Sequence, residues 1–265
     1  MHRFFFHLMV VCLWLVSANS AWSASLDRNA GNSKELPAAS QMDPYQDDNL
    51  DFLDEEIDEK PSPRVADPLE PWNRAMFEFN DRFYFWVLKP VSLGYRNIVP
   101  EIVRIGVQNF FTNLAGPIRI VNCFLQGKME SSANEMARFV YNTTFGVLGF
   151  GNPAKDNPAL NPSPEDMGQT LAVFGLGDGF FIIWPFLGPS TLRDTVGMGV
   201  DGFMNPIYYI DDAAASVGIK AVDIVNSTSF RIGDYEALKD SAIEPYQSFK
   251  NVYMQFREKR INDQH

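Results

Sequence analysis

The stretch "DPLEPWNRAMFEFNDRFYFWVLKPV", residues 67–91, limits what this chain can fold into more than any other. Wound at about 100° per residue, Trp72, Ala75, Met76, Phe79, Phe83 and Trp86 fall on one stripe, as an ordinary core-facing helix requires. Phe77, Tyr84 and Leu88 then form a second stripe on a different side, and Phe85 and Val87 fill further gaps. Polar residues survive mainly in the middle, at Asn73, Arg74, Glu78, Asn80, Asp81 and Arg82. The second half is apolar almost all round, which water penalises. Two arrangements satisfy it: a central helix sandwiched by others, or a helix with one face on protein and another on acyl chains.

A second segment, "GLGDGFFIIWPFLGPS" (residues 175–190), bears on that choice. Its eight-residue apolar run is too short to cross a bilayer. As a buried strand it is interrupted by Pro185, which cannot donate to a ladder. As an inserted element it makes sense, because Phe, Ile and Trp side chains each gain about 1.5–3 kcal/mol on leaving water. Trp184 near one edge suits the interfacial preference of indole. Core packing remains the competing reading. Two such segments favour a membrane-seated protein, with Phe77, Tyr84, Phe85, Trp86, Phe180, Phe181, Trp184 and Phe186 as the candidate membrane contacts.

Elsewhere the patterning is helical. "EIVRIGVQNFFTNL" puts Val103, Val107, Phe110, Phe111 and Leu114 on one face, with Pro100 at the start. "SANEMARFVYNTTFG" opens with Ser132 and Glu135 in capping-box spacing and continues with Met136 and Val140 on one face. "DDAAASVGIKAVDIV" suits a helix, and Tyr246, Phe249, Tyr253 and Phe256 form a narrow stripe near the end of the chain. Long alternating runs with Asn-Gly turns are absent, so the domain reads as all-α. The proline-rich "GNPAKDNPALNPSPEDMG" reads as an irregular loop.

The ends have a different character. Residues 1–24 carry one arginine, an apolar run and then small residues, the pattern of an export signal. Cys12 lies inside the run, behind Val10 and Val11, so the pattern lacks the terminal cysteine of a lipoprotein signal. Residues 25–66 hold 11 acidic against 4 basic residues and read as a disordered tether. Residues 67–262 form the domain proper. With a formal net charge of −11, the chain is a poor partner for nucleic acid. One cysteine, Cys123, follows the signal, so no intrachain disulfide is available; it reads as a small buried hydrophobe.

The sequence is poor in catalytic groups. Its three histidines are His2, His7 and His265, so the domain has none for a Ser-His-Asp triad or an imidazole metal site. No G-x-S-x-G elbow or dinucleotide fingerprint occurs. The carboxylate pairs Glu165–Asp166 and Asp211–Asp212 read as helix-start residues. The expectation is a non-enzyme with no cofactor and no metal.

Four stretches in fixed order carry a resemblance. "DPLEPWNRAMFEFN", "GPIRIVNCFLQGK", "GQTLAVFGLGDGFFIIWPFLGPSTLRD" and "EPYQSFKNVYMQFR" resemble the motifs of VacJ/MlaA outer-membrane phospholipid-transport proteins, over residues 67 to about 260. The resemblance implies a ring-like monotopic helical domain embedded in one leaflet, with a central amphipathic channel. It implies removal of mislocalised phospholipids from the outer leaflet of the Gram-negative outer membrane, so as to maintain lipid asymmetry. The implied partners are phospholipid, the inner leaflet of the outer membrane, a trimeric porin and a soluble periplasmic lipid carrier. The expected location is the periplasmic face of the outer membrane. Family members are lipoproteins, whereas this signal has no lipobox cysteine, so the apolar girdle or a porin is left to hold the protein in place.

Trp72, Asn73, Phe79 and Asn80 lie in the matching opening motif, and Leu192, Arg193 and Asp194 in its T-L-R-D element. Arg193 and Asp194 are expected to lock neighbouring helices, with a contact to the lipid head as the alternative. Asn80, Asp81 and Arg82 are channel candidates. Gly146, Gly149 and Gly151 fall where the family has a flexible hairpin and are gate candidates. Two alternatives stay open: a structural or adhesion protein using the same apolar surface without passing lipid, and a histidine-free lipid hydrolase.

Overall fold

The computed structural model describes residues 65–262. The export signal, nearly all of the acidic segment and His265 lie outside the described residues. Ten α-helices are described: α1 (Glu70–Phe83), α2 (Lys89–Ile98), α3 (Glu101–Leu114), α4 (Gly116–Leu125), α5 (Met129–Phe145), α6 (Met167–Val173), α7 (Leu192–Met204), α8 (Ala213–Thr228), α9 (Asp234–Ser241) and α10 (Pro245–Asn262). A π-helical turn, Tyr84–Leu88, joins α1 to α2. The proline-rich loop contains two short 3₁₀ turns, Pro153–Asp156 and Pro158–Leu160. No described helix is long and apolar enough to cross a membrane.

The architecture is all-α, as expected, with one small sheet in it. The "FFIIWPFLGPS" run forms an antiparallel hairpin, β1 (Phe181–Trp184) with β2 (Gly188–Thr191), in register Phe181↔Thr191 and Trp184↔Gly188. Pro185 does not interrupt the strand; it follows the last paired residue and opens the turn. The free edge of β1 is satisfied from an unexpected source. Asn73, fully buried, donates from Nδ2 to Phe181 O (3.0 Å) and accepts from Ile183 N–H (2.7 Å). Two turns along the same helix, Asn80 donates to Trp184 O (3.0 Å) and accepts from Phe186 N–H (2.8 Å). Each carboxamide copies the donor-acceptor pair of a peptide group, so α1 serves as a third strand. Trp72 Nε1–H adds a bond to Ile183 O at 3.2 Å. Asn73→Ala strands a buried donor and a buried acceptor, and we expect it to cost about 2–5 kcal/mol in urea unfolding. A loss under about 0.5 kcal/mol would show that the hairpin edge does not depend on Asn73.

The apolar core is small. Phe181 and Ile183 of β1 pack with Tyr246, Val252, Tyr253, Met254 and Phe256 of α10, and Met76, Phe77, Leu238 and Phe249 cover them. The terminal aromatic stripe thus faces inward.

Away from that core the partition of residues is inverted. Among the described residues, 23 polar or charged side chains are buried against 11 hydrophobic ones, while 35 large hydrophobics are exposed. Soluble domains bury the opposite set. In α5, Ser132, Glu135 and Asn142 point inward, while Met136, Val140, Tyr141 and Phe145 point outward. The expected capping box there is not one. The helix starts at Met129, Ser132 Oγ–H donates to Ile120 O (3.0 Å), and Glu135 pairs with Arg119. In α3 the buried residues are Arg104, Gln108, Asn109 and Asn113, and the expected stripe is only half covered. In α2, only Ser92 is buried, while Val91, Leu93 and Ile98 are exposed.

Candidate functional site

The buried polar groups form connected networks. Arg257 of α10 holds Asp166 with two contacts (2.5 and 3.0 Å) and Asp194 with two more (3.1 and 3.0 Å). Tyr253 O–H donates to Asp194 Oδ2 at 2.9 Å. Arg193 reaches Asp178 at 2.8 Å and Asp194 at 3.1 Å. The Arg193–Asp194 element therefore ties α7 to α10, to the loop before β1 and to Asp166. Asp166 also caps α6 in a true capping box with Gln169. Neighbouring pairs extend this polar interior: Arg119 with Glu135 (3.1 Å), and Lys128 with Glu165 (2.7 Å). Cys123 is buried, and burial pushes its thiol up to about 12, so it stays protonated at neutral pH.

Beside this network lies a cavity of about 400 Å³. One part of its wall is apolar, from Phe111, Ile118, Leu187, Met198, Ile207 and Ile224. The other is polar and charged, from Arg119, Asp194, Asp201, Lys220, Asp223 and Arg257. The lining comes from α3, α4, α7, α8, β2 and α10, so nothing local in the sequence marks it. The volume falls within the range of small-molecule sites.

The expected site residues are not brought together. Asn80 is committed to the hairpin. Asp81 accepts from Lys239 Nζ (2.6 Å) and Tyr235 O–H (2.8 Å) of α9. Arg82 forms an exposed pair with Glu78 at 3.1 Å. None of the three is among the cavity lining. Gly146, Gly149 and Gly151 form a close turn after α5, with Gly151 N–H on Gly146 O at 2.7 Å. Gly149 takes φ +90°, and a Cβ there would meet Asn113 at 2.6 Å. The demand for glycine at 149 thus comes from a left-handed backbone and a close approach; Val147 and Leu148 at the tip are exposed.

The candidate membrane contacts divide. Phe181 is a correction: strand alternation buries it completely against α10. Phe77 also turns to the core, edge-on to Tyr246 and Phe249. Tyr84 turns inward because its hydroxyl donates to Glu236 (2.8 Å), which also pairs with Lys89. Phe85 is half covered by Tyr235 and lies under Lys89 and Lys239. Phe180 is half-buried, as is Trp184, whose indole N–H donates to Thr195 Oγ1 at 3.0 Å. Trp86 stands 77 % exposed on the π-helical turn. Phe186, at φ +67° in the hairpin turn, is exposed and meets Phe79 and Phe83 at 5.1 and 5.0 Å.

Three carboxylates that clasp elements together titrate low. Burial opposes ionisation of Asp166, but Arg257 outweighs it; at Asp67, Tyr246, Lys250 and Asn73 outweigh it, and at Glu236, Lys89 and Tyr84 do. A depressed folded pKa gives stability that is present above the unfolded value and lost as pH falls through the folded one. Glu165 opposes them, because burial raises its pKa despite Lys128. The melting temperature should therefore hold from pH 8 to about 5 and fall between about pH 4.5 and 2. A flat profile by circular dichroism down to pH 3 would contradict this.

Fold and site together define a class: a helical protein that exposes many large hydrophobics, buries many polar side chains and carries a cavity with a partly apolar, partly charged wall. The profile of the MlaA lipoprotein family matches residues 65–260. The chain is 34 % identical over 193 residues to the intermembrane phospholipid transport system lipoprotein MlaA of Escherichia coli (strain K12), covering 72 % of this chain and 76 % of that one. It is 31 % identical over 206 residues to the Haemophilus influenzae protein of the same name, covering 74 % and 80 %. A solved structure described as the structural basis for maintenance of bacterial outer membrane lipid asymmetry superposes with a TM-score of 0.66 at 32 % identity, covering 74 % of this chain and all of that one. The chain belongs to the MlaA family.

Proposed function

We propose that this protein moves phospholipid between membranes by admitting the head group to the cavity while the acyl chains stay on the apolar exterior. The observation that carries this reading is the inverted partition around an amphipathic cavity. A packed soluble domain has no use for 35 exposed large hydrophobics. Phe79, Phe83, Trp86 and Phe186 supply an aromatic face for the inner leaflet of the outer membrane, as aromatic side chains do at lipid interfaces. In the full scheme, mislocalised phospholipid leaves the outer leaflet through this chain and passes to a soluble periplasmic carrier, with a trimeric porin beside it. The 146–151 turn, with its apolar tip, is the proposed gate. The protein acts without catalysis.

Transfer is the test. Full-length protein in donor vesicles should pass labelled phospholipid to a soluble acceptor carrier, and should co-purify with phospholipid. A structural or adhesion protein would do neither, and a hydrolase would release lysolipid.

A further inference from the structure

Among the described residues, Arg104, Arg119, Arg193 and Arg257 are almost fully buried. The last three are held by the chain's own carboxylates: Arg119 by Glu135 (3.1 Å), Arg193 by Asp178 (2.8 Å) and Arg257 by Asp194 (3.0 Å). Arg104 of α3 has only neutral partners among the described residues. Its Nη1 donates to Ser229 Oγ at 2.9 Å and to Ser229 O at 3.4 Å, and its guanidinium carbon lies 4.5 Å from the centre of the Phe230 ring. Its buried Nε meets no acceptor. A guanidinium cannot shed its proton, so burying it without a counter-ion leaves its desolvation uncompensated.

Two hydroxyls nearby share that condition. Tyr95 O–H of α2 donates to Asn226 Oδ1 of α8 (2.9 Å), and Asn226 Nδ2 donates to Arg104 O (3.1 Å), so α2, α3 and α8 meet at one joint. Ser92 lies one turn before Tyr95 on α2, and Thr228 two residues after Asn226 on α8. The hydroxyls of both are buried without a hydrogen-bond partner. The joint adjoins the cavity, because Gln108, one turn beyond Arg104 on the same face of α3, lines it, as does Ser227 of α8. A buried cation with hydroxyl donors beside it suits a phosphate oxyanion, whose charge strengthens each hydrogen bond it accepts.

Resting on the cavity as the lipid site, we propose that Arg104 binds the lipid phosphate and so makes the cavity select phospholipid over neutral lipid. The phosphate comes to the α3–α8 end of the cavity and supplies the counter-ion, with the hydroxyls of Ser92 and Thr228 as further donors. A diacylglycerol with the same acyl chains brings no such charge.

The test offers delipidated full-length protein mixed micelles with equal phosphatidylethanolamine and diacylglycerol, and counts captured lipids by mass spectrometry. The wild type should capture the phospholipid in excess by about tenfold. Arg104→Met, whose flexible side chain can stay against Phe230, should remove most of that excess by losing phospholipid, with diacylglycerol capture unchanged. Its lipid-free melting temperature should hold or rise, because an uncompensated buried charge has gone. Thr228→Val should lower the ratio in the same direction, by about threefold. Equal capture by the wild type, or a ratio unmoved by Arg104→Met, overturns the assignment and leaves the cavity reading standing. So does a lipid-free melting temperature lowered by more than about 5 °C in Arg104→Met, since the counter-ion then comes from the chain itself. Labelled inorganic phosphate, offered alone to the lipid-free protein, separates the two sources of the anion. Binding that Arg104→Met removes, with the lipid ratio unmoved, assigns the joint to free phosphate and overturns the lipid contact. Capture of neither lipid by the wild type overturns the cavity reading and this inference with it.

Discussion

Arg257→Leu is expected to destabilise the protein by about 3–5 kcal/mol, the cost of removing one partner from a buried ion network. The guanidinium is the only group that touches both Asp166 and Asp194 among the contacts described, and Asp194 already shares Arg193 with Asp178. Without it, Asp166 loses the guanidinium that offsets its burial, while Asp194 keeps Arg193. The loss is a large part of the stability of an ordinary domain, so the variant should be poorly folded. Arg257→Lys should recover only part of it, because an ammonium cannot reproduce the forked contacts to two carboxylates. Adding Asp166→Asn to Arg257→Leu should recover more than Arg257→Lys does, since it removes the stranded charge. Urea unfolding in detergent measures all three. A loss under about 1 kcal/mol for Arg257→Leu would mean that the network is not what joins α10 to α6 and α7.

Gly202→Trp should stop lipid transfer and leave the fold intact. Gly202 lies in α7 and lines the cavity, and a Cβ built there meets nothing within 4 Å. An indole can thus project into the space without displacing backbone. Replacing glycine inside a helix also gains about 0.3–0.7 kcal/mol of helix propensity, so the melting temperature should hold or rise slightly. Transfer to the carrier should fall at least about tenfold, equivalent to about 1.4 kcal/mol against passage. Unchanged transfer with a folded Gly202→Trp would place the lipid path elsewhere.

The sequence shows faces more readily than it shows which side of a face is inside. Met136 and Val140 share a stripe, as the spacing requires, yet the stripe points outward and Ser132, Glu135 and Asn142 occupy the interior. Periodicity cannot settle that direction when the exterior solvent is acyl chain rather than water. The opening helix was legible as two-sided, and Trp86 and Phe79 are exposed as a lipid face needs. Phe77 and Tyr84 went the other way because α9 and α10, distant in sequence, supply Phe249 and Glu236. The hairpin was hidden for a related reason. Its edge is closed by Asn73 and Asn80 of a helix about 110 residues upstream, so no pairing strand appears in the sequence. The seven-residue spacing of two asparagines in that helix was the available signal. The cavity left none, since its wall gathers single residues such as Asp201, Lys220 and Arg257 from separate helices.

The most direct measurement is photo-crosslinking in cells, with a photoreactive amino acid at Asn205, which lines the cavity, and in parallel at Trp86 on the exposed face. The account predicts phosphate-containing lipid adducts at Asn205, carrying a head group and lost in the Gly202→Trp background, while those at Trp86 persist. Adducts at Trp86 with none at Asn205 would describe a protein that sits on lipid without passing it, and would contradict the central claim.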